Sequence, residues 1–207
     1  MQHASSKSQA FLVTQKPEGH LFQEFWQKIA DARLAGIACY VYGLDDGVYS
    51  LLKMQELREK GAHLFACAWA LQERGMPMDE GTIPSGLVML HDLIAKTDGF
   101  TVWDSRPNLI SCIFNSEQPI LIVADKPEKS SEALRVAEGL NQVGDVQMIV
   151  LNPKDLNFFL SPLKEASFPI FIPKEKNFLS EAFEFQSITR VELQQWLNDP
   201  KRVSICF

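Results

Sequence analysis

The sequence has no uninterrupted apolar run of about 18 residues, the length that a membrane span requires. Its first residues, MQHASSKSQA, lack the hydrophobic segment that is typical of a signal peptide. Basic side chains are outnumbered, with 20 Lys and Arg against 26 Asp and Glu and a net charge of −6. Such a surface is poorly suited to neutralising phosphates. We therefore expect a soluble cytoplasmic protein that binds neither membranes nor nucleic acid directly.

Cysteine is scarce and dispersed along the chain. The four cysteines form no C-x-x-C pair and no Cys/His cluster of the kind that zinc sites use. No P-loop and no G-x-G-x-x-G motif occurs, so there is little support for a nucleotide- or flavin-binding protein. We expect reduced thiols, no bound metal ion and no organic cofactor.

Two stretches of the chain share one pattern. FLVTQKPE from Phe11 and LIVADKPE from Leu121 each indicate a buried strand followed by a turn containing proline. A helical pattern and a second apolar strand follow each of them, IACYVY in one case and VQMIVL in the other. The pattern predicts an α/β protein of two tandem, flavodoxin-like, three-layer α/β/α halves with mainly parallel sheets, at residues 10–105 and 118–207.

The remaining segments follow the same order in both halves. After its second strand, the first half has the helical pattern YSLLKMQELREKG, the strand AHLFAC, the short helix AWALQERG, a loop, the helix SGLVMLHDLIAKTD and the strand GFTVW. The second half has DLNFFLSPLKEA, FPIFI, ITRVELQQWLND and RVSICF. The order of elements therefore supports a duplication.

Ligands of open α/β sheets bind at the carboxyl ends of the strands, so the loops there are the first place to look for chemistry. The turn Asp45-Asp46-Gly47 follows the strand IACYVY and lies at this edge. Asp and Gly are also common in tight turns for conformational reasons alone, and two adjacent carboxylates at a turn usually point to water. We assign this turn no role in proton transfer.

Cys67 closes the strand HLFA and opens the helix AWALQERG. Unpaired backbone N–H groups and the positive end of the helix dipole favour a thiolate over a thiol at such a position. Cys67 is therefore a candidate nucleophile. The alternative is a small buried side chain at the end of a strand, a common setting for free cysteine.

Three segments carry a resemblance to a known family: YVYGLDDGVYSLL, HLFACAWALQERGM and GLVMLHDLIAKTDGFTVW. They are similar to the DsrE/DsrF-like family of sulfur carriers, whose members act in intracellular sulfur oxidation or, as the TusBCD complex, in the relay that thiolates the wobble uridine of tRNA. The resemblance covers about residues 10–104. The residues that match the family pattern are Asp46, Gly47, Val48, Cys67, Arg74 and Gly75.

The resemblance implies that Cys67 accepts sulfane sulfur as a persulfide and relays it from a donor protein to an acceptor protein. It also implies a homo-oligomer, either a trimer of fused halves or a larger assembly, because the family forms trimers and hexamers. We expect the turn Asp45-Asp46-Gly47 to shape a rim beside Cys67 or beside the cysteine of a neighbouring subunit. The candidate binding residues are Asp46, Gly47, Val48, Tyr49 and His20. The alternative interpretation of His20 is a solvated or helix-capping residue.

The second half departs from the family pattern. Ile172 and Pro173 occupy the region where the cysteine would recur, and VLNPKDLNFFL replaces the D-G-V turn. We expect this half to be a degenerate repeat that serves as a permanent structural partner. A second functional hypothesis follows, in which the whole chain is a noncatalytic assembly or binding module and Cys67 is inert.

Overall fold

The computed structural model describes residues 7–77, 80–151, 166–174 and 185–207. The chain divides into two compact units, of which unit 1 ends at Phe114 and unit 2 begins at Asn115. This boundary falls between the two halves that the sequence predicts. In the described residues, no helix is both long enough and apolar enough to cross a membrane.

Unit 1 alternates strands with helices. Its elements are β1 Ser8–Val13, α1 Gly19–Leu34, β2 Ala38–Gly43, α2 Gly47–Leu51, α3 Gln55–Glu59, β3 His63–Cys67, α4 Ala68–Glu73, β4 Thr82–Ser85, α5 Leu87–Lys96, β5 Phe100–Trp103 and β6 Ile110–Cys112. The strands form one sheet in the order β4-β3-β2-β1-β5-β6, parallel except for β6, which runs antiparallel to β5.

The register of this sheet brings several strand ends together. Val13 at the end of β1 pairs with Gly43 of β2 and with Trp103 of β5. Gly43 in turn pairs with Ala66, next to Cys67 at the end of β3. We call the edge at which β1, β2, β3 and β5 end the carboxyl edge of unit 1.

Unit 2 contains a smaller sheet. Its described elements are β7 Ile120–Ala124, a 3₁₀ turn at Pro127–Lys129, α6 Ser130–Asn141, β8 Val146–Val150, β9 Ile170–Pro173, β10 Gln186–Ile188, α7 Arg190–Asn198 and β11 Ser204–Cys206. All of its strands are parallel, in the order β10-β9-β8-β7-β11. Buried apolar side chains of the sheet, among them Val123, Ile149 and Phe171, pack with Leu193 of α7 to form its core.

The predicted α/β class and the mainly parallel sheets are confirmed. When the described strands are numbered within each unit, both sheets place their first five described strands in the order 4-3-2-1-5. The flavodoxin-like order is 2-1-3-4-5, so the connectivity differs from the one expected. The apolar pattern specifies which segments are strands, but it does not specify on which side of the first strand each later strand is added.

Three local features differ from the sequence prediction. The segment YSLLKMQELREKG forms two short helices, α2 and α3, because the chain turns at Met54 and thereby buries both Leu51 and Met54. The predicted loop after α4 contains the edge strand β4 with Pro84, and β6 extends unit 1 beyond residue 105. The predicted helix DLNFFLSPLKEA lies almost entirely outside the described residues.

Candidate functional site

Cys67 is the last residue of β3 and lies at the carboxyl edge, where the sequence places it. It pairs with Ser85 of β4 and directly precedes α4. Cys67 is buried, with only 2 % of the residue accessible. The helix after it has six residues, and the Cys67 side chain makes no capping hydrogen bond to it. The thiol is therefore covered.

The Tyr42 side chain spans from β2 to the end of β4. It lies on β2, it is fully buried, and its hydroxyl donates to the carbonyl oxygens of Ser85 at 3.2 Å and Gly86 at 3.1 Å. Because β3 separates β2 from β4, the Tyr42 side chain must cross β3 to reach them. Residues that pair across parallel strands face the same side of a sheet, and this places Tyr42 and Cys67 on one face.

Arg74, at the end of α4, contacts both carboxylates of the turn after β2. Its guanidinium forms an ion pair with Asp45, and its Nε donates to Asp46 Oδ1 at 3.0 Å. The Asp45 side chain is 4 % exposed and the Arg74 side chain 16 %. We call these three residues the Arg74 cluster. The expectation that both carboxylates point to water is wrong for Asp45, because Arg74 replaces the water around it.

Gly47 and Val48 are packed inside the fold. A Cβ on Gly47 would overlap the backbone of Val13 at the end of β1, so α2 begins against that strand with no room for a side chain. Val48 is buried at 1 % exposure. Tyr49 lies further out, with the Lys16 ammonium 5.7 Å from the centre of its ring. Gly47 and Val48 therefore fix the conformation of the turn.

A cleft of about 530 Å³ opens at the carboxyl edge between the ends of β1 and β5. The order of the sheet reverses between these strands, which is where open α/β sheets bind ligands. His20 and Asp46, two of the predicted binding residues, line it, whereas Cys67 is not among its lining residues. His20 and Asp46 therefore lie at the cleft, which does not include the covered thiol.

The cleft also contains charged side chains that the sequence analysis missed. Asp104 follows β5, and its fully buried side chain accepts hydrogen bonds from Arg106 Nε at 2.9 Å and Nη2 at 2.6 Å. The cleft is thus lined by both signs of charge, with Lys16 and Arg106 facing Glu18, Asp46 and Asp104. This mixture selects no single class of ligand.

The other cysteines of unit 1 are core residues. Burial raises the pKa of the Cys39 thiol to about 11 and that of the Cys112 thiol to about 11, and the neighbouring Arg33 and Arg106 only partly offset this. Cys112 lies in β6 with its Sγ 3.6 Å from the Phe100 carbonyl oxygen. All four cysteines of the chain are buried thiols.

We predict that Cys39 and Cys112 resist alkylation in the native protein. At pH 8 a thiol with a pKa of about 11 is ionised in roughly one molecule in a thousand, and the thiolate is the reactive form. Iodoacetamide treatment followed by peptide mass mapping should label both residues only after urea is added. Labelling of either residue in native protein at the rate of a small-molecule thiol would contradict this assignment.

Comparison with known proteins adds no assignment to this geometry. No protein-family model matches the chain, and no curated protein or solved structure matches it either. Within the described parts of the chain, no group of three or more His, Cys, Asp or Glu side chains is arranged to hold a metal ion.

Proposed function

We propose that this chain is a sulfur carrier of the DsrE/DsrF-like kind, in which Cys67 holds sulfane sulfur as a persulfide. One observation carries the proposal. The D-G-V turn after β2 and the Cys-to-Arg-Gly segment after β3, on which the resemblance rests, are joined by the Arg74 cluster. Two motifs that are 28 residues apart in sequence thus form one structural unit around the end of β3.

The proposed chemistry needs no oxidant and no cofactor. The Cys67 thiolate attacks the terminal sulfur of a donor persulfide, the donor S–S bond breaks, and the donor leaves as a thiolate while Cys67 becomes a persulfide. An acceptor thiolate then attacks the terminal sulfur of Cys67 in the same way and regenerates the Cys67 thiolate. Because Cys67 is 2 % exposed, both steps require the cover over the thiol to open.

We further propose that unit 2 is a degenerate repeat of the same domain. Its strands have the order 4-3-2-1-5, as the first five strands of unit 1 do, and its third strand, β9, ends at Pro173 where the third strand of unit 1 ends at Cys67. Unit 2 would then act as a scaffold. The donor and acceptor proteins, the trimeric or larger homo-oligomer and the cytoplasmic location implied by the family are parts of this proposal.

The test is loading with glutathione persulfide, followed by peptide mass spectrometry. We expect the Cys67 peptide of the wild-type protein to gain one sulfur atom, and the Cys67→Ser variant to gain none at that position. Cys206→Ser is the matched control, since Cys206 is a buried cysteine at the end of β11, and it should load like the wild-type protein. Failure of Cys67 to load in both the wild-type and control proteins would overturn the carrier role.

The burial of Cys67 favours a second candidate, a noncatalytic binding or assembly module with an inert thiol. In that case the cleft between β1 and β5 is the functional part of the carboxyl edge. The two candidate functions predict different reactivities of the Cys67 thiol. A module without carrier activity should leave Cys67 as unreactive as Cys39 towards both iodoacetamide and the persulfide.

A further inference from the structure

The Arg74 cluster fixes the end of the helix that begins at Cys67. Besides its contacts with Asp45 and Asp46, Arg74 directs Nη1 towards the carbonyl oxygen of Ala70 in its own helix, at 3.5 Å. Its Nη2 lies 2.9 Å from Asp46 Oδ1. The guanidinium therefore holds the last turn of α4 against the acidic turn after β2.

This attachment matters because α4 is short. It has six residues, its first residue follows Cys67 directly, and its buried side chains are only Ala70 and Leu71. Few apolar contacts hold so short a helix in place, and local opening is easiest where such contacts are few. The ion pairs of Arg74 with Asp45 and Asp46 are therefore among the contacts that hold α4 at the end of β3.

The turn on the other side of the cluster is well suited to be a fixed anchor. Asp45 is 3 % exposed and has a φ of 54°, a left-handed conformation that non-glycine residues adopt rarely. Gly47 is pressed against the backbone of β1, and the Ser50 hydroxyl donates to the Gln15 carbonyl oxygen at 2.7 Å. The turn is held to β1 on one side, so α4 is the part free to move when the cluster breaks.

We propose that the Arg74 cluster is a latch that keeps Cys67 covered, and that its opening sets the access of reagents and partners to the thiol. The role of this access in sulfur transfer rests on the proposed function. The latch itself concerns only the exposure of one sulfur atom, which is measurable by itself. Arg74 is in this view a positioning residue, because it acts on Cys67 through α4.

The experiment measures the iodoacetamide labelling rate of Cys67 by peptide mass mapping in the full-length protein. When opening and closing are fast, this rate follows the fraction of molecules in which the site is open. Arg74→Gln removes the charge and both ion pairs, and we expect Cys67 to label roughly tenfold faster than in the wild-type protein. Arg74→Lys keeps the charge without the planar fork, and we expect an intermediate rate.

Arg106→Gln is the matched control. It removes an arginine of nearly equal exposure, 15 % against 16 %, that also forms an ion pair with a buried aspartate at the carboxyl edge. Arg106 does not belong to α4 or to the turn after β2, so its loss should change the Cys67 rate less than about twofold. An equal rise in both variants would show a general loosening of unit 1 and would overturn the latch.

Cys39 reports on unfolding in the same samples, because it is fully buried in the core of unit 1. The latch predicts faster labelling of Cys67 while Cys39 stays protected. If Arg74→Gln exposes both thiols, the Asp46→Asn variant is measured in the same way. The Asp46 side chain is the most exposed of the cluster, so its replacement should destabilise unit 1 least. No selective rise at Cys67 in either variant refutes the proposal.

The latch and the carrier role can fail separately. If Cys67 labels faster in Arg74→Gln but no variant takes up sulfur from glutathione persulfide, the latch stands and the carrier role is lost. If the wild-type protein takes up sulfur at Cys67 but the labelling rate does not respond to Arg74 or Asp46, the carrier role stands and the latch is lost. Agreement of the two measurements would make opening of α4 the step that admits the sulfur donor.

Discussion

Replacing Gly47 by alanine should destabilise unit 1 by about 3 kcal/mol. The new Cβ would overlap the carbonyl group of Val13 and would lie 3.0 Å from the Thr14 nitrogen. These are backbone atoms at the end of β1, and the Val13 carbonyl already accepts a hydrogen bond from Leu44 N at 2.9 Å. Neither β1 nor the turn can yield without breaking sheet contacts.

The measurement is the urea midpoint of unit 1, followed by tryptophan fluorescence. Three of the four tryptophans, Trp26, Trp69 and Trp103, belong to that unit. Gly86→Ala is the control, because Gly86 precedes α5 with φ at −87° and a Cβ there would meet nothing within 4 Å. It should cost less than about 1 kcal/mol. Equal midpoints for the two variants would mean that α2 does not begin against β1.

Phe25→Ala should cost about 4 kcal/mol, because it removes a fully buried aromatic side chain from the core between α1 and the sheet. The Phe25 ring meets Phe11 of β1 at a centroid distance of 5.9 Å and Trp103 of β5 at 5.5 Å. The loss therefore leaves a cavity beneath the two strands that flank the cleft.

Leu34→Ala is the control for Phe25. It removes an apolar side chain from the same helix, but Leu34 is 84 % exposed, so the unfolding free energy should change by less than about 0.5 kcal/mol. Urea unfolding of both variants, again followed by tryptophan fluorescence, checks the difference. A loss of similar size in the two variants would contradict the packing of α1 against β1 and β5.

The sequence was most informative where strands are buried on both faces. FLV, CYVY and ILIV are continuous apolar runs, and they lie in β1, β2 and β7 respectively. β4 was missed because TIPS is short, contains a proline and becomes a strand only through its pairing with β3. The sequence TIPS does not by itself indicate a strand, because its extended conformation comes from pairing with β3.

The position of the candidate site could be predicted from the sequence, but the burial of Cys67 could not. Cys67 ends a strand at the carboxyl edge as expected, because an apolar run followed by a helical pattern fixes that location. Its burial is a property of the folded sheet, to which neighbouring strands and helices contribute, so the local sequence around Cys67 does not show it. The sequence contained a partial signal for the Arg74 cluster, because the two acidic residues after β2 and the arginine after α4 carry complementary charges.

The proline in β4 has a consequence for how copies of this chain can join. β4 forms one edge of the unit 1 sheet, and Pro84 has no backbone N–H to offer to an incoming strand. Growth of the sheet by strand addition is therefore disfavoured on that side, as is fibril-like stacking. Self-association there would have to proceed through side chains, with the half-exposed Ile83 as the apolar group available.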